Sequence, residues 1–237
     1  MKKVLLVSLL LLLVSCGTPT PAVEPSPTTQ TESTVEPTVV VADVAPTAAP
    51  TAPAAVPAAV RVFEIDSAQS SAAYAVEEIF FSDNRLFTAV GVTNAVEGAF
   101  EVTSNGKPSG KVTRIRVDLR TLKSDSPRRD NAIRRQWLES DKYPYADFVS
   151  TDALNLPESY AEGEQVTFTL VGDMTVRDVT KPVEWTVVGT LQGNTVTGEA
   201  KTVIKMSDFG FAAPDIGGVL KAEDEVALTV TFVAIEK

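Results

Sequence analysis

This 237-residue chain has no histidine and a single cysteine, Cys16, and those two facts bound its chemistry. Without imidazole there is no Ser-His-Asp or Cys-His nucleophile, no histidine zinc site and no histidine pH switch. What remains for chemistry is carboxylates, guanidiniums, amines and hydroxyls. Arg177-Asp178 and Asp208-Phe209-Gly210 place isolated carboxylates where Asp178 is expected to shape a turn and Asp208 to cap or bend the chain. Glu223-Asp224-Glu225 is acidic enough for calcium but lacks the spaced ligands of a dedicated site, so a solvated loop is expected there. An enzyme would need paired carboxylates or a Ser-Lys arrangement in a cleft. No spacing singles out such a pair, so the expectation is no catalytic residue, no metal and no cofactor.

Cys16 sits in a telling context. Met1-Lys2-Lys3 is followed by an apolar run from Val4 to Val14, and Leu13-Val14-Ser15-Cys16 closes it. The run is too short to stay in a bilayer as a spanning helix and has the layout of a secretory signal. Its ending resembles the lipobox of bacterial lipoproteins, in which the cysteine becomes the acylated first residue; the other reading is an ordinary signal with an incidental cysteine. The lipobox reading implies a protein held at the outer side of a cell membrane through a lipidated Cys16, since two or more acyl chains anchor stably. Loss of the signal would remove Lys2 and Lys3 and leave 19 basic against 31 acidic residues, a net charge of −12. Such a chain is repelled by anionic headgroups and by nucleic acid, so no nucleic-acid partner is expected.

Residues 17–60 hold nine of the fifteen prolines among Thr, Ala, Val and Ser, with no aromatic residue. They read as a disordered tether, with a root-mean-square reach of about 35–40 Å. Residues 61–237 read as one domain with a sizeable core. Alternation with period two dominates it. Val183, Trp185 and Val187, or Val226, Leu228, Val230 and Phe232, mark one-sided faces, and Thr113, Ile115, Val117 and Leu119 are read the same way. Asn105-Gly106, Pro157-Glu158, Gly193-Asn194 and Asp178 to Pro182 separate the strands. Only 127–138 reads as helix, with Pro127 at its start and Ile133 and Trp137 one turn apart. Many hairpin-linked strands with one short helix point to an all-β, closed up-and-down barrel rather than a sandwich.

Several segments resemble, in order, the YceI-like family of lipid-binding proteins. They are Phe63-Glu64-Ile65-Asp66-Ser67, Val117 to Leu122, Arg129 to Arg134 and Lys142-Tyr143-Pro144 with Phe148. Gly172 to Pro182 and Ser207-Asp208-Phe209-Gly210 complete the series. The resemblance implies an extended lipocalin-like antiparallel β-barrel of about eight strands whose apolar channel takes a polyisoprenoid, such as a quinone tail or polyprenyl lipid. The histidines common in early strands of the family are missing, and Arg85 to Asn94 reads as a longer connection than usual.

The inward faces allow such a channel. Strands over 71–77, 94–103, 183–191 and 194–206 each carry one or two very small residues, Gly98, Gly189, Gly198 and Ala200 among them, where bulky groups would fill a barrel. The other reading of these glycines is bulges and bends. The expected lining is Tyr74, Val76, Gly98, Phe100, Ile115, Val117, Trp137, Phe148, Phe168, Leu170, Trp185, Ala200, Phe209 and Phe232. The basic run from Lys111 to Arg135, with nine cations against three acids, is either a headgroup-steering mouth or a solvated face paired with neighbouring acids. Two functions from different classes follow: a membrane-anchored, extracytoplasmic holder of a long apolar lipid, or a surface-tethered scaffold with a filled core. Oligomeric state is open at this level.

Overall fold

The computed structural model describes residues 59–103 and 108–237. The expected signal, Cys16, nearly all of the tether and the Asn105-Gly106 turn lie outside the described residues, as does the Thr113 side chain.

The wall is a closed antiparallel barrel of eight staves, two of them interrupted. β1 (Val60–Ile65) and β2 (Ser71–Phe80) run in line along one edge of β11 (Leu220–Glu236), β2 pairing with 220–231 and β1 with 234–236. β3 (Arg85–Thr93) and β4 (Val96–Thr103) form the next stave, β3 on β2 and β4 on β1. The sheet then passes through β5 (Pro108–Asp118), β6 (Tyr145–Leu154), β7 (Gln165–Val176), β8 (Val179–Gln192) and β9 (Thr195–Lys205) to the other edge of β11. The two-residue β10 (Asp215–Ile216) folds back on the start of β11. Tight hairpins join the long staves. Arg177 at φ 58° turns β7 into β8, and Gly193 at φ 61° turns β8 into β9.

The two interruptions, 66–70 and 94–95, face each other and are stitched by side chains. Ser67 Oγ donates to the Val96 carbonyl at 2.6 Å, and Asn94 Nδ2 donates to the Ser70 carbonyl at 2.9 Å. Ser70, only 1 % exposed, receives the Val233 N–H at 3.0 Å and donates back to the Val233 carbonyl at 3.3 Å. The Thr93 and Thr121 hydroxyls share a 2.6 Å bond. The Val96 and Ser70 carbonyls and both backbone groups of Val233 thereby find side-chain partners at the break.

Between β5 and β6 the chain leaves the wall. Asp118 starts a short 3₁₀ turn, Leu119–Thr121, by accepting the Arg120 N–H at 2.9 Å. Ser126 then caps α1 (Pro127–Ala132), accepting the Arg129 N–H at 3.3 Å, with Pro127 in the first turn where its missing N–H is harmless. The helix widens into a π turn over Ile133–Trp137, and Leu138 N–H reaches back five residues to the Ile133 carbonyl. Asp130, buried, accepts both the Ser124 N–H and hydroxyl, which fixes the approach to the helix.

Three readings of the sequence need correction. Arg85 to Asn94 is not a long connection: residues 85–93 are β3, nine pairs long on β2. Its outer face carries exposed Leu86, Val90 and Val92, so apolar residues on both faces erase the alternation that marks a half-buried strand. Glu223-Asp224-Glu225 is not a solvated loop but part of β11, where the register shifts between Ala222 and Val226 and Asp224 accepts the Ser207 N–H and hydroxyl. In β5 the register slips against β4, pairing Ala99 with Arg114 but Phe100 with Val112; buried Val112 therefore takes the inward place that alternation gave to Thr113.

Replacing Ser70 by Ala leaves the Val233 N–H buried without a partner. Urea unfolding of Ser70→Ala is expected to show a loss of about 1–3 kcal/mol, and that of the exposed Ser82→Ala less than about 0.5 kcal/mol.

Candidate ligand-binding channel

The barrel is not filled by its own side chains. A large chamber of about 490 Å³ lies beneath α1 and between β2, β5, β6, β7 and β11. A small chamber of about 150 Å³ lies at the opposite end, between β4, β7, β8 and β9. Ile115, Phe148, Trp185 and Val230 line both, so these four side chains form the waist between them. Phe148 and Trp185 meet there edge to face, with ring centres 6.0 Å apart. Trp185 is 7 % exposed and its indole N–H has no hydrogen-bond partner among the described residues, so the waist offers a donor in otherwise apolar surroundings.

The outer wall of the large chamber is made by the exposed residues Arg128, Ile216 and Val219, so the space reaches the surface between α1 and the β10–β11 turn. The small chamber ends at Glu101, Lys111, Tyr160 and Thr190, where Lys111 Nζ donates to Glu101 at 3.0 Å.

Twelve of the fourteen residues expected to line a channel stand on these two spaces. Tyr74, Val76, Val117 and Trp137 line the large chamber. Phe100, Phe168, Leu170, Ala200 and Phe232 line the small one, and Ile115, Phe148 and Trp185 the waist. Gly98 and Phe209 line neither. Phe209 is buried in the same core cluster as Met174 and Trp185. Gly98, at φ 151°, sits against the β5 bulge, where a Cβ would come 2.4 Å from the Arg114 carbonyl oxygen. Alternation alone could not reveal Ile133, Leu138, Phe211 and Val219, which also line the large chamber: they come from the helical excursion and from the loops on either side of β10.

Small residues keep the interior open in a less direct way than the sequence suggested. At three glycines the vacated space holds a ring from the neighbouring strand: Tyr74 over Gly91, Phe148 over Gly172 and Phe232 over Gly198, each within 2.6 Å of where a Cβ would be. The glycine lets an aromatic ring lie down on the wall instead of standing in the lumen. Gly189 differs, because the nearest atom to its missing Cβ is the Thr197 carbonyl oxygen at 3.7 Å.

Polar groups in the large chamber gather at one corner. Glu78, 4 % exposed, receives the Arg129 Nε–H at 3.2 Å and Nη2–H at 3.1 Å. Arg129 Nη1 donates to Asp125 and, at 3.4 Å, to the Ser124 hydroxyl, and the guanidinium lies 5.3 Å from the Phe87 ring centre. Burial disfavours the Arg129 charge, but bonding to Glu78 and the attraction of Glu78 and Asp125 outweigh it, so its pKa is raised. Burial pushes the Tyr74 phenol up to about 12, against the opposing pull of Arg129. Among the described residues no set of three Cys, Asp or Glu side chains is placed to hold a metal ion. Four arginines of the basic run meet carboxylates: Arg116 and Arg114 share Asp147, Arg120 meets Asp118, and Arg129 meets Glu78.

A family model described as the YceI-like domain matches residues 63–234. A UPF0312 protein of Yersinia enterocolitica is 30 % identical over 148 residues, 60 % of this chain and 70 % of that one. One of Photorhabdus laumondii is 29 % identical over 134 residues, 54 % of this chain and 65 % of its own length. Among solved structures, a polyisoprenoid binding domain from Saccharophagus degradans superposes with a TM-score of 0.55 at 11 % identity, covering 74 % of this chain and 98 % of that one. Burkholderia cenocepacia BcnA gives 0.52 at 17 % identity, over 71 % and 98 %. At these identities the two structures speak for the fold.

Two predictions follow from the geometry. Gly198→Ala forces a Cβ to 2.5 Å from the Val188 carbonyl oxygen and is expected to lower stability by about 1–3 kcal/mol, while Gly189→Ala stays within about 0.5 kcal/mol of wild type in the same urea titration. Tyr74 ionises near 10 when unfolded and near 12 when folded, so its contribution is complete below pH 10 and is lost as pH rises towards 12. Thermal melts from pH 9 to 12 should therefore fall less steeply for Tyr74→Phe than for wild type.

Proposed function

The chain belongs to the YceI-like domain family, and we propose that it holds a long apolar lipid, of the polyisoprenoid type, along its two chambers. The observation that carries this reading is a pair of apolar chambers that meet at a shared four-residue waist and lie towards opposite ends of the barrel. A cavity of about 150 Å³ lined by aliphatic and aromatic groups accepts a benzene-sized molecule, so the small chamber takes about one isoprene unit. The large chamber is three times that size and lies within the usual range for small-molecule sites. Each methylene moved from water into such a wall contributes about 0.8 kcal/mol, which over a C15–C20 chain offsets the cost of immobilising it. That the Saccharophagus domain is a polyisoprenoid binding domain supports the same ligand class. A filled barrel serving only as scaffold fits poorly with an unfilled lumen of this size.

Within the same proposal, the Leu13-Val14-Ser15-Cys16 ending supports acylation of Cys16 and a station on the outer side of a bacterial cell membrane. A proline-rich stretch of about forty residues would then let the barrel reach its cargo without leaving that surface. The role is carriage, storage or sequestration, with no catalysis.

Organic extraction of the protein as purified, followed by mass spectrometry, should recover a long-chain lipid, and adding geranylgeraniol to stripped protein should change the emission of Trp137 and Trp185. Gly189→Leu puts a side chain into the small chamber without backbone conflict and should weaken C20 geranylgeraniol at least tenfold while sparing C10 geraniol. Native-like folding with no bound lipid and no fluorescence response would overturn the reading.

A further inference from the structure

We infer that the lipid held here carries an uncharged, oxygen-bearing head group seated at the Tyr74–Glu78–Arg129 corner of the large chamber, and that this corner turns away phosphate- and carboxylate-headed lipids. The inference rests on the proposed lipid-holding role and specifies the chemistry of the ligand.

Arginine in a ligand chamber ordinarily suggests an anion, because the guanidinium fork matches phosphate and carboxylate. Here the fork is occupied. Nε–H and one Nη2–H go to Glu78, and Nη1 serves Asp125 and Ser124. Tyr74 lies within the field of Arg129 and of three carboxylates, Glu78, Asp125 and Asp130, so the corner already holds more negative than positive charge. An incoming anion must either join these acids or displace Glu78. Displacement leaves a buried carboxylate without its partner, a penalty on the order of a hundredfold in affinity or more.

Arg128 is the counter-argument, since it lines the same chamber and has no carboxylate partner among the described residues. It stands exposed at the rim, where one solvated charge contributes about fivefold at most and less as salt is added. The penalty at Arg129 therefore decides the outcome.

A neutral oxygen meets neither obstacle. The Tyr74 hydroxyl has no hydrogen-bond partner among the described residues, stays protonated throughout the physiological range, and belongs to a ring held flat over Gly91 on the chamber wall. It can donate to a carbonyl or accept from a hydroxyl, and Glu78 can accept from a hydroxyl while keeping its hold on Arg129.

The test uses lipids with one tail and two heads. Stripped full-length protein is titrated with farnesol and with farnesyl phosphate at fixed ionic strength, reading tryptophan emission and displacement of a fluorescent fatty probe. Farnesol is expected to bind at least thirtyfold tighter. Glu78→Gln, which relaxes the hold on Arg129, should narrow that gap at least tenfold by improving the phosphate, and Tyr74→Phe should weaken farnesol severalfold. Farnesyl phosphate binding to wild type as tightly as farnesol, or more so, overturns the inference, and that comparison needs no variant to fold. If neither lipid binds, the lipid-holding role itself fails and the head-group assignment falls with it.

Discussion

A barrel of eight antiparallel strands can enclose one small ligand or pack itself solid, and which occurs depends on where its large side chains lie. In this protein the deciding interaction is a ring across a glycine. Tyr74, Phe148 and Phe232 each lie over a glycine on an adjacent strand, so three of the bulkiest inward residues are spread along the wall. The pairing is doubly constrained. The glycine backbone is covered, and the ring gives up the freedom to swing into the lumen. The chambers on either side of the waist exist because that volume is kept at the periphery, and the same pairings fix the places at which the wall cannot accept even a methyl group.

Closure depends in turn on β11, which carries two strands on one edge and β9 on the other. Its length lets one strand bridge the break between β1 and β2. The break is where the barrel changes character. On the β1 side the wall is continuous and houses the small chamber. On the β2 side the ladder gives way to the helical excursion between β5 and β6, and the large chamber sits under that cover. Charge follows the same division. Part of the basic run is paired in place: Arg114 and Arg116 of β5 meet Asp147 of β6, Arg120 meets Asp118, and Arg129 meets Glu78 of β2.

Much of this was legible in the residues. Period-two alternation placed β2, β4, β8, β9 and β11 on the correct faces, because each has one face to the lumen and one to solvent. Pro127 and the Ile133–Trp137 spacing found the longest helical excursion among the described residues. Sequence reasoning lost β3, where Leu86, Val90 and Val92 are apolar yet face outward, and slipped by one residue in β5, because a bulge is a property of the pairing and not of either strand alone. Strand residues that border the two chambers could be picked out by alternation, and those from other elements could not. Ile133, Phe211 and Val219 reach the large chamber from a π turn and from loops, where no periodicity announces which side is inside. The polar corner was invisible for a related reason: Glu78 and Arg129 are fifty-one positions apart, and nothing local marks either as the other's partner.

β3 is laddered to β2 along its whole length, but on its other edge, among the described residues, only Val92 is bridged, to Lys123. From Arg85 to Gly91 the strand faces the helical cover through side chains, chiefly Phe87 beneath Arg129. A panel fastened by backbone bonds on one side only separates from its neighbour at lower free energy than one fastened on both. Amide hydrogens of β3 should accordingly exchange sooner than those of β7 or β8, and β3 forms a seam along which roof and wall can part while β4 and the other seven staves stay joined.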